Sequence, residues 1–180
     1  MDANTRTLWQ QARDGDREAY DRLFALHADR CLMFIRARLG ARMRASVESR
    51  DVLQDAYLAA HRDFDTFQYT DEGAFTRWLC RIIENRIRDF GDYLAARKRR
   101  ATAPPEPEPP TGPATAAGRA ESREALLRGL DSLGEEHRSV LLLRYFEGLG
   151  AEEAARRMGR SAGAIRKLTA RALVALGEAL

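Results

Sequence analysis

The chain has 180 residues, 44% of them hydrophobic and 32% charged, with a formal net charge of +3. That length holds one ordinary domain or two small ones, and that apolar fraction supports real cores. The small net charge excludes a polybasic tail protein, and the two cysteines, Cys31 and Cys80, read as buried small hydrophobes in apolar helical patterns rather than as a disulfide scaffold.

The opening stretch MDANTRTLWQQARDGD has no apolar signal core. No apolar run approaches the roughly 18 residues of a membrane span, so a cytoplasmic protein with no membrane insertion is expected. Asp14-Gly15-Asp16 forms a capping turn before a helix over 17–39, where Ala19, Tyr20, Leu23, Phe24, His27, Cys31, Leu32 and Ile35 recur at helical spacing. Gly40 ends it. A second helix runs from Ser49 or Arg50 to Arg62 on the stripe Val52, Leu53, Ala56, Tyr57 and Ala60. A polar and aromatic loop, DFDTFQYTDEG, leads to a third helix over 74–96 that carries Phe75, Trp78, Leu79, Ile82, Ile83, Ile87 and Phe90 and closes on Arg97-Lys98-Arg99-Arg100.

All six prolines lie between Pro104 and Pro113, in ATAPPEPEPPTGPATAAG. Proline cannot donate to a helix or ladder and disfavours helix in the residue before it. The segment 101–118 therefore reads as a flexible, extended Pro-rich linker, acidic through Glu106 and Glu108. At roughly 3.1 Å per residue it separates its ends by several tens of ångströms. Beyond it, 119–180 divides into four short helices, over 119–130, 135–146, 151–158 and 161 onward. Sustained strand alternation is absent and β-branched residues are scarce. The expected fold is all-α, with an N-terminal helical bundle (1–100) and a C-terminal four-helix domain (119–180).

The last two helices have a helix-turn-helix layout. Ala154 and Ala155 allow close packing, Gly159 permits the tight turn and Ser161 caps the second helix. That helix is expected to bury Ile165, Leu168, Ala172, Leu173 and Leu176. Arg166, Lys167, Ala170 and Arg171 face outward with Arg160 and Ser161 near the turn, a small and basic surface that fits a major groove. A helical hairpin with a solvated basic face gives the same pattern. The cations are nearly all arginine, which suits bidentate contacts to phosphate and guanine; a GC-rich genome produces the same bias.

Two further constellations stand out. Asp51, Gln54 and Asp55 lie at i, i+3, i+4 and share one helix face, which suits a basic partner or simply faces water. Trp78, Arg81, Asn85 and Arg88 follow at steps of three, four and three, with Arg77 beside them. Indole and guanidinium groups stack on unpaired bases and hold the backbone. The loop residues Phe64, Phe67 and Tyr69 read as flexible aromatics able to cradle an extruded base. A lone tryptophan in an apolar helix, such as Trp78, is more often a core residue.

In this order, these pieces resemble a bacterial RNA polymerase sigma factor of the extracytoplasmic-function (ECF) class. The resemblance covers nearly the whole chain apart from the linker, and rests on Ser49 to Tyr57 (SRDVLQDAY), on Ala74 to Asn85 with Arg88-Asp89, and on the helix-turn-helix. It implies that the first stretch docks on core RNA polymerase, that the second opens and reads the −10 element of promoter DNA, and that the third reads the −35 element. It also ranks Trp78 below the arginines and Asn85 as a DNA contact. It implies a linker threading a polymerase channel, its two glutamates standing in for nucleic-acid charge, and an anti-sigma factor or other inhibitor as a further partner. The chain departs from the family where Gly150-Ala151 replaces the usual Ser or Thr entering the helix-turn-helix, which predicts a weak cap. Leu168 stands where arginine is common and Thr169 where leucine is, so Leu168 is expected to take over the core position with a slight rotation of the helix. Ala164 and Ala170 replace common polar contacts, so the resemblance carries phosphate binding over better than base specificity.

A stand-alone helix-turn-helix transcriptional regulator, with the N-terminal helices as a ligand or dimerisation domain, is the alternative. An enzyme is not expected, and neither is a cofactor or metal. His27, His61 and His137 lack metal-ligand spacing, there is no glycine-rich phosphate loop, and no serine or cysteine nucleophile has a plausible nearby base.

Overall fold

The computed structural model describes residues 2–100 and 117–180. The Pro-rich linker with Glu106 and Glu108 lies outside the described residues. Those described hold eight α-helices and no strand, and fall into two compact units, divided within the linker.

The N-terminal unit contains α1 (Asp2–Arg13), α2 (Arg17–Arg44), α3 (Ser49–Asp63) and α4 (Ala74–Arg100), with a short 3₁₀ turn at Phe64–Thr66. The Asp16 carboxylate caps α2 by accepting from the Ala19 amide at 3.0 Å, which satisfies one of the orphan donors of the first turn. Gly40 breaks the helical backbone as the sequence predicts, at φ 62° and ψ 166°, but one more helical turn follows through Arg44. Leu23, Phe34, Ile35, Val52, Phe75, Leu79 and Ile83 are completely or almost completely buried. Burying a side chain of this size contributes about 1.5–3 kcal/mol, so these residues set how the helices pack.

α1 was not read from the sequence, although its Leu8 and Thr5 are buried. The Thr5 hydroxyl lies 3.3 Å from His27 Nε2 and the Thr76 hydroxyl 3.4 Å from His27 Nδ1. A hydroxyl can donate or accept, so it suits either role of a ring nitrogen, and these buried contacts tie α1 and α4 to α2. Cys31 and Cys80 are buried free thiols, and burial pushes the Cys31 thiol up to about 12, which makes it inert.

The C-terminal unit contains α5 (Ala117–Ser132), α6 (Glu135–Leu141), a π-helical turn at Leu142–Phe146, α7 (Ala151–Met158) and α8 (Ala162–Glu178). Leu130, Leu142, Val140, Leu149, Ala154, Ile165 and Ala172 form the core. The Arg138 guanidinium donates to the carbonyls of Leu130, Asp131 and Leu133, and so closes the C-terminal end of α5. Gly129 brings α5 close to α8: a Cβ there would come within 2.9 Å of Leu176 Cδ1 and 3.2 Å of Leu180 Cδ2. No helix among the described residues is long and apolar enough to cross a membrane.

Candidate functional site

α3 turns Val52, Ala56, Ala59 and Ala60 inward. That packing leaves Asp51, Gln54 and Asp55 exposed together. Leu58, one turn beyond Gln54 and Asp55, is 57% exposed and extends the same face. The sequence reading missed it, although a leucine at the next position of a polar stripe was the available signal. An open groove of about 540 Å³ runs beside this face, lined by Tyr20, Phe24, Leu53, Gln54, Tyr57 and Leu58. Its floor is fixed because the Tyr57 hydroxyl donates to the Phe24 carbonyl at 3.0 Å.

On α4, Arg81, Asn85 and Arg88 are exposed in one line, with Trp78 half-buried at its start. The Trp78 ring stacks at 4.8 Å on Phe67 and lies 5.6 Å from Phe75, centroid to centroid. The indole is therefore packed on the core, with Arg81 and Asn85 exposed beyond it on the same helix. Arg77 is half-buried and ion-paired to Asp71, whose carboxylate also accepts from the Gly73 amide. The guanidinium holds the Asp71 carboxyl down at about 2.

The loop aromatics differ from the sequence expectation. Phe64 and Phe67 are not flexible: they are 5% and 6% exposed and belong to the core. Phe67 packs against Trp9, Phe75 and Trp78. Tyr69 is half-buried, its ring 5.5 Å from that of Trp9 on α1. Apolar area won over loop position, because three large rings beside a hydrophobic helix are more stable under it than in water.

In the helix-turn-helix, Gly159 adopts the left-handed conformation, φ 63° and ψ 37°, and closes α7, a geometry that costs a residue with a Cβ roughly 1 kcal/mol or more. Ser161 caps α8, its hydroxyl accepting from the Ala164 amide at 3.2 Å. Gly150 offers α7 no side-chain cap, in keeping with the weak cap expected. Arg160, Ser161, Arg166, Lys167, Ala170 and Arg171 are all exposed.

The expected core of α8 needs correction. Thr169 stays in the core at 7% exposure, and its hydroxyl donates back to the Ile165 carbonyl at 2.8 Å. That bond satisfies the one polar group that would oppose burial. Leu168 is only half-buried, so it does not take over the core position and the helix need not rotate. Leu173 is 43% exposed rather than buried.

Comparison with known proteins decides the family. The Sigma-70 region 2 family model matches residues 27–101, and the Sigma-70 region 4 model matches residues 123–176. The chain is 34% identical over 166 residues to the ECF RNA polymerase sigma factor SigM of Mycobacterium tuberculosis, covering 92% of this chain and 79% of that one. The chain belongs to the ECF sigma factors.

A sigma factor directs RNA polymerase to promoters, and promoter-specific initiation of transcription is the function of this chain. The ECF RNA polymerase sigma-E factor of Escherichia coli is 28% identical to it over 185 residues, with 94% of this chain and 90% of that one covered. Among solved structures, this sigma factor is similar to CnrH in its complex with the cytosolic domain of CnrY, with a TM-score of 0.55, 26% identity, and 97% and 96% of the two chains covered. It shares its fold with the sigma factor RpoE in complex with the anti-sigma factor NepR from Bartonella quintana, at a TM-score of 0.60, 18% identity, and 91% and 96% coverage. In this sigma factor α1 lies before the region 2 match, and α5 to α8 hold the region 4 match.

Proposed function

We propose that three exposed faces divide the work of this sigma factor. Asp51, Gln54 and Asp55, with Leu58 beside them, dock on a basic surface of core RNA polymerase. Trp78, Arg81, Asn85 and Arg88, with Arg77 at the flank, hold and read the opened −10 DNA. Arg160, Ser161, Arg166, Lys167, Ala170 and Arg171 bind the −35 duplex. The segments 1–100 and 119–180 act as separate promoter-reading heads, and the linker between them raises the effective concentration of each once the other is bound.

The observation that carries this reading is the separation of charge on the N-terminal unit. An acidic face on α3 and a basic face on α4 are both exposed, which suits one protein partner and one nucleic-acid partner at once. The chain itself supplies no chemistry in this reading; it needs no cofactor and acts in the cytoplasm beside the polymerase. An anti-sigma factor or another inhibitor holds it in reserve, a reading supported by the likeness to CnrH, which was solved bound to CnrY.

Binding of the full chain to core polymerase tests the docking face. Asp51→Ala, Gln54→Ala and Asp55→Ala should each weaken the complex while the fold is kept. A mobility shift without polymerase tests the alternative. Tight, sequence-specific binding of promoter duplex by the free chain favours a stand-alone regulator, and weak binding that becomes specific only with core polymerase favours the division proposed.

A further inference from the structure

Two of the cations on the helix-turn-helix surface are held by carboxylates of the same unit. Arg166 Nη2 on α8 donates to Glu152 Oε1 on α7 at 2.9 Å, the two side chains being 63% and 68% exposed. Arg160, in the turn, is ion-paired to Glu136 on α6, at 41% and 62% exposure. Lys167 and Arg171 have no such partner among the described residues. The fold positions both pairs: Glu152 sits in the first turn of α7 and Arg166 in the early part of α8.

Exposed pairs like these contribute at most about 1 kcal/mol. They are therefore poor at holding the fold together. They are also weak enough to be exchanged for a phosphate or a base edge, where arginine makes a charge-assisted bidentate contact. In the free protein each carboxylate occupies a guanidinium that would otherwise be available to duplex DNA of any sequence.

We propose that Glu152 and Glu136 are intramolecular competitors of DNA for Arg166 and Arg160, and that they keep the free sigma factor from binding duplex DNA non-specifically. The consequence is selectivity: the competition lowers affinity for any duplex by a modest factor, which is outweighed where base edges and the second promoter-reading head add binding energy. The inference rests on the reading of this surface as the −35 duplex interface.

The test uses the full chain and a labelled duplex of about two helical turns carrying no promoter sequence, with affinity measured across a range of salt concentrations. Glu152→Gln should tighten binding by up to about fivefold at low salt, the equivalent of about 1 kcal/mol. It should also steepen the salt dependence by about one released counterion. In an Arg166→Ala background the same substitution should do nothing. Glu153→Gln, an exposed neighbour carrying the same charge, should have a much smaller effect. Glu136→Gln should behave as Glu152→Gln does, and should lose its effect with Arg160→Ala.

A gain that persists without Arg166, or that Glu153→Gln reproduces, shows a general charge effect and overturns the proposal. No gain from Glu152→Gln overturns it too. Failure of the underlying interface is separately visible: Lys167→Ala and Arg171→Ala would then leave duplex binding and its salt slope unchanged.

Discussion

Arg157 Nη2 donates to Glu147 Oε2 at 3.0 Å, and the side chain of Glu147 is completely buried while that of Arg157 is 29% exposed. This pair fastens α7 to the turn that precedes it. Removing one partner of a buried ion pair leaves a charge desolvated, which costs about 3–5 kcal/mol. Arg157→Ala should fall near the lower end, a loss of about 3 kcal/mol, because the arginine itself keeps contact with water. Both tryptophans lie in the N-terminal unit, so the loss is to be followed by amide hydrogen exchange in α7 and α8; unchanged protection there contradicts it.

The core of α8 yields a second prediction. Ile165 is fully buried, so Ile165→Ala should cost about 2–5 kcal/mol through lost transfer energy and the cavity left behind. Leu168 is only half-buried, and Leu168→Ala should cost about 1 kcal/mol or less. Denaturant unfolding of the C-terminal unit, followed by hydrogen exchange, ranks the two. Equal costs would mean that Leu168 is a core residue after all.

A third prediction concerns acid. The Asp71 carboxyl is held at about 2, below its ordinary 3.8, chiefly by the hydrogen bond from Arg77. A carboxylate whose value is lowered in the folded state adds stability above the unfolded value and loses it as pH falls toward the folded one. The Asp71–Arg77 pair should therefore help at neutral pH and fade between pH 3.8 and about 2. Asp71 is well exposed, so the effect is small. Carbon-detected titration should place Asp71 well below 3.8, and Arg77→Ala should return it toward that value.

The docking face is the fourth. Asp51, Gln54 and Asp55 are exposed, so replacing them should leave stability within about 0.5 kcal/mol. Asp51→Ala combined with Asp55→Ala should nevertheless weaken the complex with core polymerase by about tenfold or more, equal to about 1.4 kcal/mol. Leu58→Ala should weaken it as well, since an exposed apolar side chain at the end of a charged face gains from being covered. Equilibrium binding to purified core enzyme measures both, with thermal unfolding as the check on the fold.

Much of this architecture was legible in the sequence because helical periodicity is a strong signal over long stretches. Val52, Ala56 and Ala60 point inward as their spacing predicts, and Asp51, Gln54 and Asp55 point out for the same reason. Gly159 and Ser161 carry local backbone chemistry that needs no tertiary context, and both act as predicted. The misreadings lie where tertiary packing overrides local pattern. Phe64 and Phe67 sit in a polar segment, yet Tyr20 and Phe24 cover the first and Trp9 and Trp78 cover the second, an apolar surface that no local window reveals. Thr169 is buried because its hydroxyl finds the Ile165 carbonyl one turn back, a bond that hydrophobicity alone does not anticipate. Trp9, Leu8 and Thr5 belong to a short helix whose apolar stripe is thin, and only contact with α2 and the loop before α4 shows its purpose.

Transcription in vitro tests the central claim most directly. Purified core polymerase, fragments of the source genome and the full chain should give initiation at a small set of discrete start sites, absent without the chain. The Arg81→Ala and Arg88→Ala variants should lose opening of the −10 region while retaining core binding. No discrete start site on any fragment, together with no complex between the chain and core polymerase, would contradict the account.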